Sequence, residues 1–185
     1  MTFPRRPAPP RSSLVPAPGP LHAPFVPLRP IALANRHPRL HLDRRAVLRA
    51  IRTLDAHHAA LATPRSGLDN PRELSLVFLT DAALAQLHAD FLDDPSPTDV
   101  ITFEGDPALG TAGEICVSAD AAARAGRQHG QDFSTELTLY LVHGWLHLAG
   151  YDDLQPAKKR VMRRAEARSL RLLAAESALP RFQLA

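Results

Sequence analysis

The sequence contains a single cysteine and no long apolar run, and both scarcities restrict the kinds of protein it can encode. Because Cys116 is the only cysteine among 185 residues, no disulfide can form within the chain, which favours a reducing compartment. No apolar stretch approaches the about 20 residues that a membrane-spanning helix needs. We therefore expect a cytoplasmic protein that does not have a membrane as a partner.

Acidic residues are absent before Asp43, and proline is abundant in the same region. Ten of the 18 prolines lie within residues 1–30, where they interrupt helices and favour extended, solvated conformations. A secretory signal needs an uninterrupted apolar segment and a transit peptide needs an amphipathic helix, and these prolines oppose both. We expect residues 1–30 to form a disordered, proline-rich, basic tail ahead of a single domain at residues 31–185. Targeting and a start codon assigned too far upstream are the alternatives for the tail.

Charge and hydrophobicity are those of an ordinary globular protein. Hydrophobic residues make up 45% of the chain and charged residues 22%, and the length suits one domain with a buried core. The formal net charge is +3 with the histidines neutral. This mild basic bias is compatible with an anionic partner but does not identify one.

Apolar spacing predicts helices and strands that intermix along the chain, in the order β-α-β-α-β-β-α-α-α. The predicted strands are 31–35, 73–80, 99–103 and 113–118, and the predicted helices are 43–58, 81–92, 119–128, 134–149 and 156–175. We expect Asp81 to cap the second helix, with Leu84, Leu87 and Phe91 facing inward. The hairpin-like step between the last two strands argues against an all-parallel sheet. The predicted fold class is α+β, with a small mixed sheet of about four strands packed against about five helices.

The strongest functional signal is a pair of histidines in the apolar fourth helix. His143 and His147 are four residues apart, so a helix places both rings on one face, about one turn from each other. Gly150 is typical of a helix end, after which the chain can fold back and bring Asp152 or Asp153 toward the rings. Two imidazoles and a carboxylate with one open position are typical of a catalytic zinc site. We therefore predict one zinc ion on a zincin-like helix.

The segment from His143 to Asp152, HGWLHLAGYD, closely resembles the signature H-G-x-L-H-L-x-G-Y-D of the YbeY family. These are bacterial metal-dependent endoribonucleases of ribosomal RNA maturation. Residues 96–103 and 113–118 resemble two strands of the family, and Met162 and Glu166 fall where it often has M-x-x-x-E. The resemblance covers about residues 31–175. It implies a metal-dependent, single-strand endoribonuclease of ribosomal RNA processing and small-subunit maturation, with ribosomal RNA and small-subunit precursors as partners.

The sequence departs from the family at two positions. The family usually has a third histidine where this chain has Asp153, so the resemblance implies His143, His147 and Asp153 as metal ligands. A carboxylate oxygen is an acceptable zinc ligand, but its negative charge is expected to raise the pKa of a bound water. Asp152 is the alternative, as a competing ligand, as a group that orients a ligand, or as the cap of the following turn. The family also often has a functional arginine where this chain has Leu92, so cleavage is expected to be slower unless another basic residue substitutes.

A basic face is predicted on the last helix. Its residues are candidates for contact with RNA phosphates, and a solvated surface is the alternative. The candidates are Lys158, Lys159, Arg160, Arg163 and Arg164. Of the other chemically active residues, we expect Cys116 and Trp145 to be buried, and we expect the remaining histidine pair at 57–58 to be solvated, with His88 and His129 at the surface.

Three functions are compatible with these features. In an endoribonuclease, bound metal lowers the pKa of a water or polarises the scissile phosphate. A non-catalytic ribosome-assembly factor would use the metal only structurally, and the substitutions at Leu92 and Asp153 make this a credible alternative. A zinc peptidase is the weakest hypothesis, because its general-base glutamate directly follows the first histidine, and here that residue is Gly144.

Overall fold

The structure is a computed structural model that describes residues 28–94 and 96–185. The strands are β1 (Ile31–Asn35), β2 (Leu40–Leu42), β3 (Glu73–Leu79), β4 (Val100–Glu104), β5 (Thr111–Ser118) and β6 (Phe182–Leu184). The helices are α1 (Arg44–Ala56), α2 (His58–Leu61), α3 (Asp81–Leu92), α4 (Ala119–His129), α5 (Phe133–Leu148) and α6 (Pro156–Ala175). Most of the predicted tail, residues 1–27, lies outside the described residues, so that prediction is untested.

Four strands form one mixed sheet in the order β1-β3-β5-β4. Strand β3 pairs in parallel with both β1 and β5, whereas β4 pairs antiparallel with β5. The predicted α+β class and the predicted antiparallel step are therefore confirmed. A second sheet of β2 and β6, with Leu40 opposite Leu184, was not predicted. Its three-residue strands are too short to show a period, and their pairing joins distant parts of the sequence.

The larger core lies between the sheet and α5, and its packing determines the position of α5 relative to the sheet. Trp145 is 0% exposed, as predicted, and its indole Nε1 donates a hydrogen bond to Asp55 Oδ1 over 3.0 Å. Gly144 lies against the sheet so closely that an added Cβ would be 2.5 Å from Cγ2 of Ile115. Since no larger side chain fits there without displacement, Gly144 sets the distance between the sheet and the helix that carries both histidines.

Two predicted details of the α3 region are wrong. Thr80, not Asp81, caps α3, because the Thr80 side chain accepts a hydrogen bond from the backbone N–H of Ala83. Leu84 is buried as predicted, but Phe91 is 64% exposed, and its ring packs edge to face with that of Phe103 at a centroid distance of 5.1 Å. Helix α3 covers a smaller apolar cluster on the opposite sheet face, and Phe91 is not among the members of that cluster.

Helix α5 begins one residue earlier than predicted, at Phe133, with the Asp132 side chain accepting from the backbone N–H of Thr135. Its burial on nearly all sides agrees with its apolar sequence. In the part of the chain that the structure describes, no helix combines the length and apolar character needed to cross a bilayer.

Candidate metal centre

The rings of the two α5 histidines, His143 and His147, pack edge to face on the side of the helix that solvent reaches. Their ring centroids are 4.5 Å apart, and the Nε2 atoms of His143 and His147 lie 2.9 Å from each other. Their side chains are 22% and 27% exposed, so both rings are sheltered but reachable from solvent. The i, i+4 spacing therefore produces the facing pair that the sequence predicted.

The chain reverses direction immediately after this helix. Gly150 has a φ of +92°, a conformation that favours glycine, and the backbone N–H of Tyr151 donates to the carbonyl of Leu146 over 3.0 Å. The Tyr151 carbonyl then lies 3.2 Å from Nδ1 of His147. The turn thus returns the backbone to the second histidine, as the glycine predicted.

Asp153 follows this turn and joins the histidines. Its Oδ1 lies 3.8 Å from Nε2 of His147, and one side-chain donor atom from each of His143, His147 and Asp153 lies within 4.8 Å of the other two. Among the described residues, no other group of three histidine, cysteine or acidic side chains comes together in this way. The structure therefore brings the three predicted ligands to one point.

Asp152 points elsewhere and stabilises the turn into α6. Its Oδ1 accepts the backbone N–H of Leu154 over 2.8 Å, and its Oδ2 accepts from Lys158 Nζ over 2.5 Å. The Lys158 hydrogen bond, followed by that of Leu154, lowers the pKa of Asp152 below its ordinary value. Of the three alternatives for Asp152, the geometry agrees with the cap.

Hydrogen bonds at the outer nitrogens determine which nitrogens face the cluster. Glu166 Oε1 lies 2.7 Å from Nδ1 of His143, and the Tyr151 carbonyl faces Nδ1 of His147. An ionised carboxylate and a carbonyl only accept hydrogen bonds, so each Nδ1 carries a proton. In neutral rings both Nε2 atoms are then bare acceptors, and at 2.9 Å their lone pairs repel unless a cation lies between them.

Zinc fits this donor set. A tetrahedral zinc with Zn–N bonds of about 2.0–2.1 Å places two nitrogen ligands about 3.3–3.4 Å apart. The two Nε2 atoms are 2.9 Å apart, so small ring rotations would give the required separation. Neutral imidazoles with protonated Nδ1 atoms and a nearby carboxylate are the ligand forms that zinc prefers.

The pKa values of the two histidines are shifted in opposite directions. Burial opposes a charge on His143, but the hydrogen bond and negative charge of Glu166 outweigh it and raise the pKa of His143. Burial and the adjacent His143 lower the pKa of His147. His143 therefore takes up a proton more readily than His147 does.

Glu166 is the functional residue to which the sequence assigned no role. It comes from α6, 23 positions after His143, and its carboxylate fixes the orientation of that ring. A sequence signal existed, since Glu166 is the only acid in a helix that contains seven lysines and arginines. An isolated acid in a basic helix suggests a specific partner, but the sequence alone does not say which one.

The other residues considered from sequence lie apart from the cluster. Cys116 is 1% exposed, and burial, with the nearby charge of Glu114, raises the pKa of its thiol to about 12. The prediction of a solvated His58 is wrong: its Nε2 lies 2.8 Å from Ser66 Oγ, and its ring contacts Trp145. His129 is exposed, as expected.

The predicted basic face is present on α6. Its members Lys159, Arg160, Arg163 and Arg164 are exposed and form no ion pair within the described residues. Lys158 differs, because it is bonded to Asp152. Since Glu166 on the same helix reaches His143, the basic helix runs directly past the cluster.

Comparison with known proteins identifies the same family from a sequence profile and from individual relatives. Residues 37–174 match the sequence profile of the family described as Endoribonuclease YbeY. The chain is 43% identical over 115 residues to an Endoribonuclease YbeY of Chlamydia trachomatis, covering 59% of this chain and 71% of the relative. It is 38% identical over 122 residues to one of Anaeromyxobacter dehalogenans, covering 64% and 62%. A Thermotoga maritima protein solved in solution has a TM-score of 0.55 at 21% identity, over 79% of this chain and 90% of that one, a likeness of fold alone.

Proposed function

Because the chain belongs to the YbeY family, we propose that it is a metal-dependent endoribonuclease that cleaves single-stranded RNA in ribosomal RNA processing and small-subunit maturation. The relatives carry the name of an endoribonuclease, and the acidic and imidazole groups of this chain converge where such an enzyme would hold a metal. The observation that carries the proposal is the convergence of the Nε2 atoms of His143 and His147, 2.9 Å apart, with the carboxylate of Asp153. Its partners would be ribosomal RNA and small-subunit precursors.

We propose that His143, His147 and Asp153 hold one zinc ion. Three protein ligands leave a fourth position open, which is typical of catalytic rather than structural zinc sites. When bound, zinc supplies Lewis-acid activation of a water or of a phosphate oxygen. Asp153 contributes a negative charge, so the net charge of the site is lower than with three histidines.

The residues around the ligands keep them in the correct form. Glu166 accepts the Nδ1 proton of His143, and the Tyr151 carbonyl accepts that of His147, so both Nε2 lone pairs stay directed inward. Such partners increase the basicity of a ligand and restrict its ring to small rotations about one orientation. Asp152 keeps the turn closed through Leu154 and Lys158, which positions the adjacent Asp153.

The basic face of α6 would hold the RNA backbone. Exposed lysines and arginines without acidic partners bind phosphates through charge, with little dependence on base sequence. Lys159, Arg160, Arg163 and Arg164 meet this description, and Lys158 would join them only by releasing Asp152. The hydrogen bond between Glu166 and His143 places this helix beside the proposed metal site. It therefore supports a path for the RNA from the basic face to the metal.

We further propose that residues 31–185 form a single metal-dependent hydrolase domain that acts in the cytoplasm. One apolar cluster includes Leu33 near its beginning and Phe182 near its end, which supports a single folding unit. The proline-rich composition of residues 1–30 supports a disordered basic tail.

The test is cleavage of single-stranded and ribosomal RNA by the purified, zinc-loaded protein. Cleavage is expected to disappear with a chelator and in the His143→Ala variant, and to remain in the His129→Ala variant, which removes an exposed histidine outside the cluster. Anomalous scattering at the zinc edge should place one ion between the three side chains. Fully zinc-loaded protein that cuts no RNA would exclude the enzymatic proposal.

A non-catalytic assembly factor is the second candidate, favoured by Asp153 in place of a histidine and Leu92 in place of an arginine. In that case the His147→Ala variant would still bind small-subunit precursors and support their maturation in cells. Under the enzymatic proposal the same variant fails to support maturation. Complementation with this variant therefore separates the two functions.

A further inference from the structure

The loop between α2 and β3 is fastened to the end of the metal-bearing helix. The backbone N–H of Thr63 donates to the carbonyl of Ala149 over 3.0 Å, and that of Gly67 donates to Leu148 over 2.9 Å. The Thr63 hydroxyl also donates to the carbonyl of Gly150 over 3.1 Å. The last carbonyls of a helix have no partner within it, so this loop supplies their hydrogen bonds. Residues 63–67 are therefore held beside the turn that follows His147.

The contact between this loop and the turn is close. A Cβ added to Gly150 would lie 2.2 Å from Thr63 Oγ1 and 2.8 Å from the carbonyl carbon of Arg65. Only glycine permits this approach without displacement. Arg65 is thus part of a loop whose backbone has a fixed position relative to the metal cluster.

A cleft of about 490 Å³ opens between the loop and the cluster. His147, Tyr151 and Asp152, from the turn after α5, line this cleft together with Arg65, Ser66 and Arg72, from the loop before β3. Glu104, the last residue of β4, and Gly105 and Pro107 after it also line the cleft. The cleft therefore adjoins one proposed ligand of the metal directly.

Two cations of this cleft have no protein partner. Within residues 28–94 and 96–185, the guanidinium groups of Arg65 and Arg72 form neither an ion pair nor a side-chain hydrogen bond; only their backbone N–H groups are bonded. By contrast, Arg29 is paired with Asp55.

The acids of the cleft do not neutralise both arginines. The charge of Asp152 is compensated by Lys158, which leaves Glu104 as the one acid that opposes the two arginines among the lining residues. The cleft is therefore suited to an anion that reaches it from solvent.

We propose that Arg65 and Arg72 form a subsite for phosphates of the RNA strand next to the metal cluster. This inference rests on the proposed endoribonuclease function, and it specifies where the strand continues beyond the reacting phosphate. A guanidinium group presents parallel N–H donors that match two phosphate oxygens. The strand would pass from the basic face of α6, over the cluster, into this cleft.

The experiment measures binding of a fluorescein-labelled, unstructured single-stranded RNA by anisotropy, in EDTA, across a series of salt concentrations. The chelator removes both cleavage and any contribution of the metal to binding. The variants are Arg65→Ala, Arg72→Ala and their combination, with Arg65→Lys and Arg72→Lys to retain the charge. Arg49→Ala is the matched control, since Arg49 is an exposed arginine of α1 that does not line the cleft. Circular dichroism melting establishes that each variant is folded.

Each alanine substitution is expected to weaken binding about twofold to fivefold, the range for an exposed charge contact. The slope of log Kd against log salt should decrease by about 0.7 for each arginine removed, as expected for single-stranded nucleic acid. The lysine variants should keep most of the salt slope, and the Arg49→Ala variant should behave as the wild type.

The outcomes separate the two proposals. If the wild type binds and cleaves RNA but the cleft variants match the Arg49→Ala control, the subsite is wrong and the endoribonuclease stands. If the zinc-loaded wild type neither binds nor cleaves RNA, the endoribonuclease proposal fails and the RNA subsite fails with it. Loss of affinity and of salt slope in the alanine variants alone supports the subsite.

Discussion

Glu166 Oε1 lies 2.7 Å from Nδ1 of His143, a contact that joins α6 to α5. The carboxylate is only 16% exposed and the histidine 22%, so solvent screens the pair only in part. This single contact fixes the tautomer of His143 and ties the basic helix to the metal cluster. Replacing Glu166 should therefore change the zinc affinity of the protein, which can be measured without any RNA.

The Glu166→Gln variant should bind zinc about 10–100-fold more weakly than the wild type, the usual cost of removing a carboxylate that orients a histidine ligand. Competition with a chromophoric chelator measures the affinity. Glu176→Gln, at the exposed end of the same helix, is the matched control and should leave zinc affinity unchanged. Equal affinities for the two variants would show that Glu166 does not support the ligand.

Alanine at position 153 should remove most of the zinc affinity, whereas alanine at position 152 should leave the zinc bound. The Asp153→Ala variant removes a proposed ligand, so its loss of zinc affinity should exceed the about 100-fold upper range for residues that only orient ligands. The Asp152→Ala variant should keep one zinc per chain with an affinity lowered by no more than about 100-fold, because its carboxylate only holds the turn that positions Asp153. Metal content after dialysis distinguishes them. Zinc retained by Asp153→Ala and lost by Asp152→Ala would reverse the assignment.

Gly150→Ala should lower the free energy of unfolding by about 2–4 kcal/mol, because backbone strain and overpacking act together. The φ of Gly150 is +92°, and the new Cβ would meet Thr63 Oγ1 at 2.2 Å. Gly130→Ala is the control, since its φ is +65° with nothing within 4 Å, so that only the strain of about 1–2 kcal/mol remains. Urea denaturation of both variants gives the comparison. Equal losses would mean that the loop yields to the added methyl group.

Cys116 should be inert to iodoacetamide in the native protein at pH 8. Burial and the charge of Glu114 raise the pKa of the thiol to about 12, so the reactive thiolate is scarce below that pH and its population rises only as the pH approaches 12. Mass spectrometry should find one added group only after unfolding in guanidinium. The Cys116→Ala variant should bind zinc like the wild type. Rapid native labelling would place the thiol closer to solvent than its 1% exposure indicates.

The cluster of His143, His147 and Asp153 could be predicted from sequence because its three members lie within 11 residues and depend on local geometry. A helical repeat brings His143 and His147 together, and the glycine after the helix returns Asp153. Glu166 was not assigned a role, since its contact with His143 depends on how α6 crosses α5. That crossing follows from the packing of whole helices, which no local pattern encodes.

The difference between local patterns and contacts of distant elements also explains which parts of the fold were predicted wrongly. Long periodic segments such as α1 and β3 were predicted within a few residues of their observed bounds. The pairing of β2 with β6 was missed because each strand has three residues and the partners are far apart in sequence. Phe91 was predicted to face inward because it continues the apolar spacing of Leu84 and Leu87, but its ring only packs against that of Phe103 beside the smaller cluster and stays 64% exposed.

The fastening of the loop at 63–67 uses main-chain atoms almost throughout. Apart from the Thr63 hydroxyl, its donors are backbone N–H groups, which every residue except proline provides. Side chains at positions such as Arg65 can therefore be exchanged while the anchor itself persists. Mutation can therefore change the charge of the cleft wall without loosening the turn that follows His147, and the two properties are free to evolve at different rates.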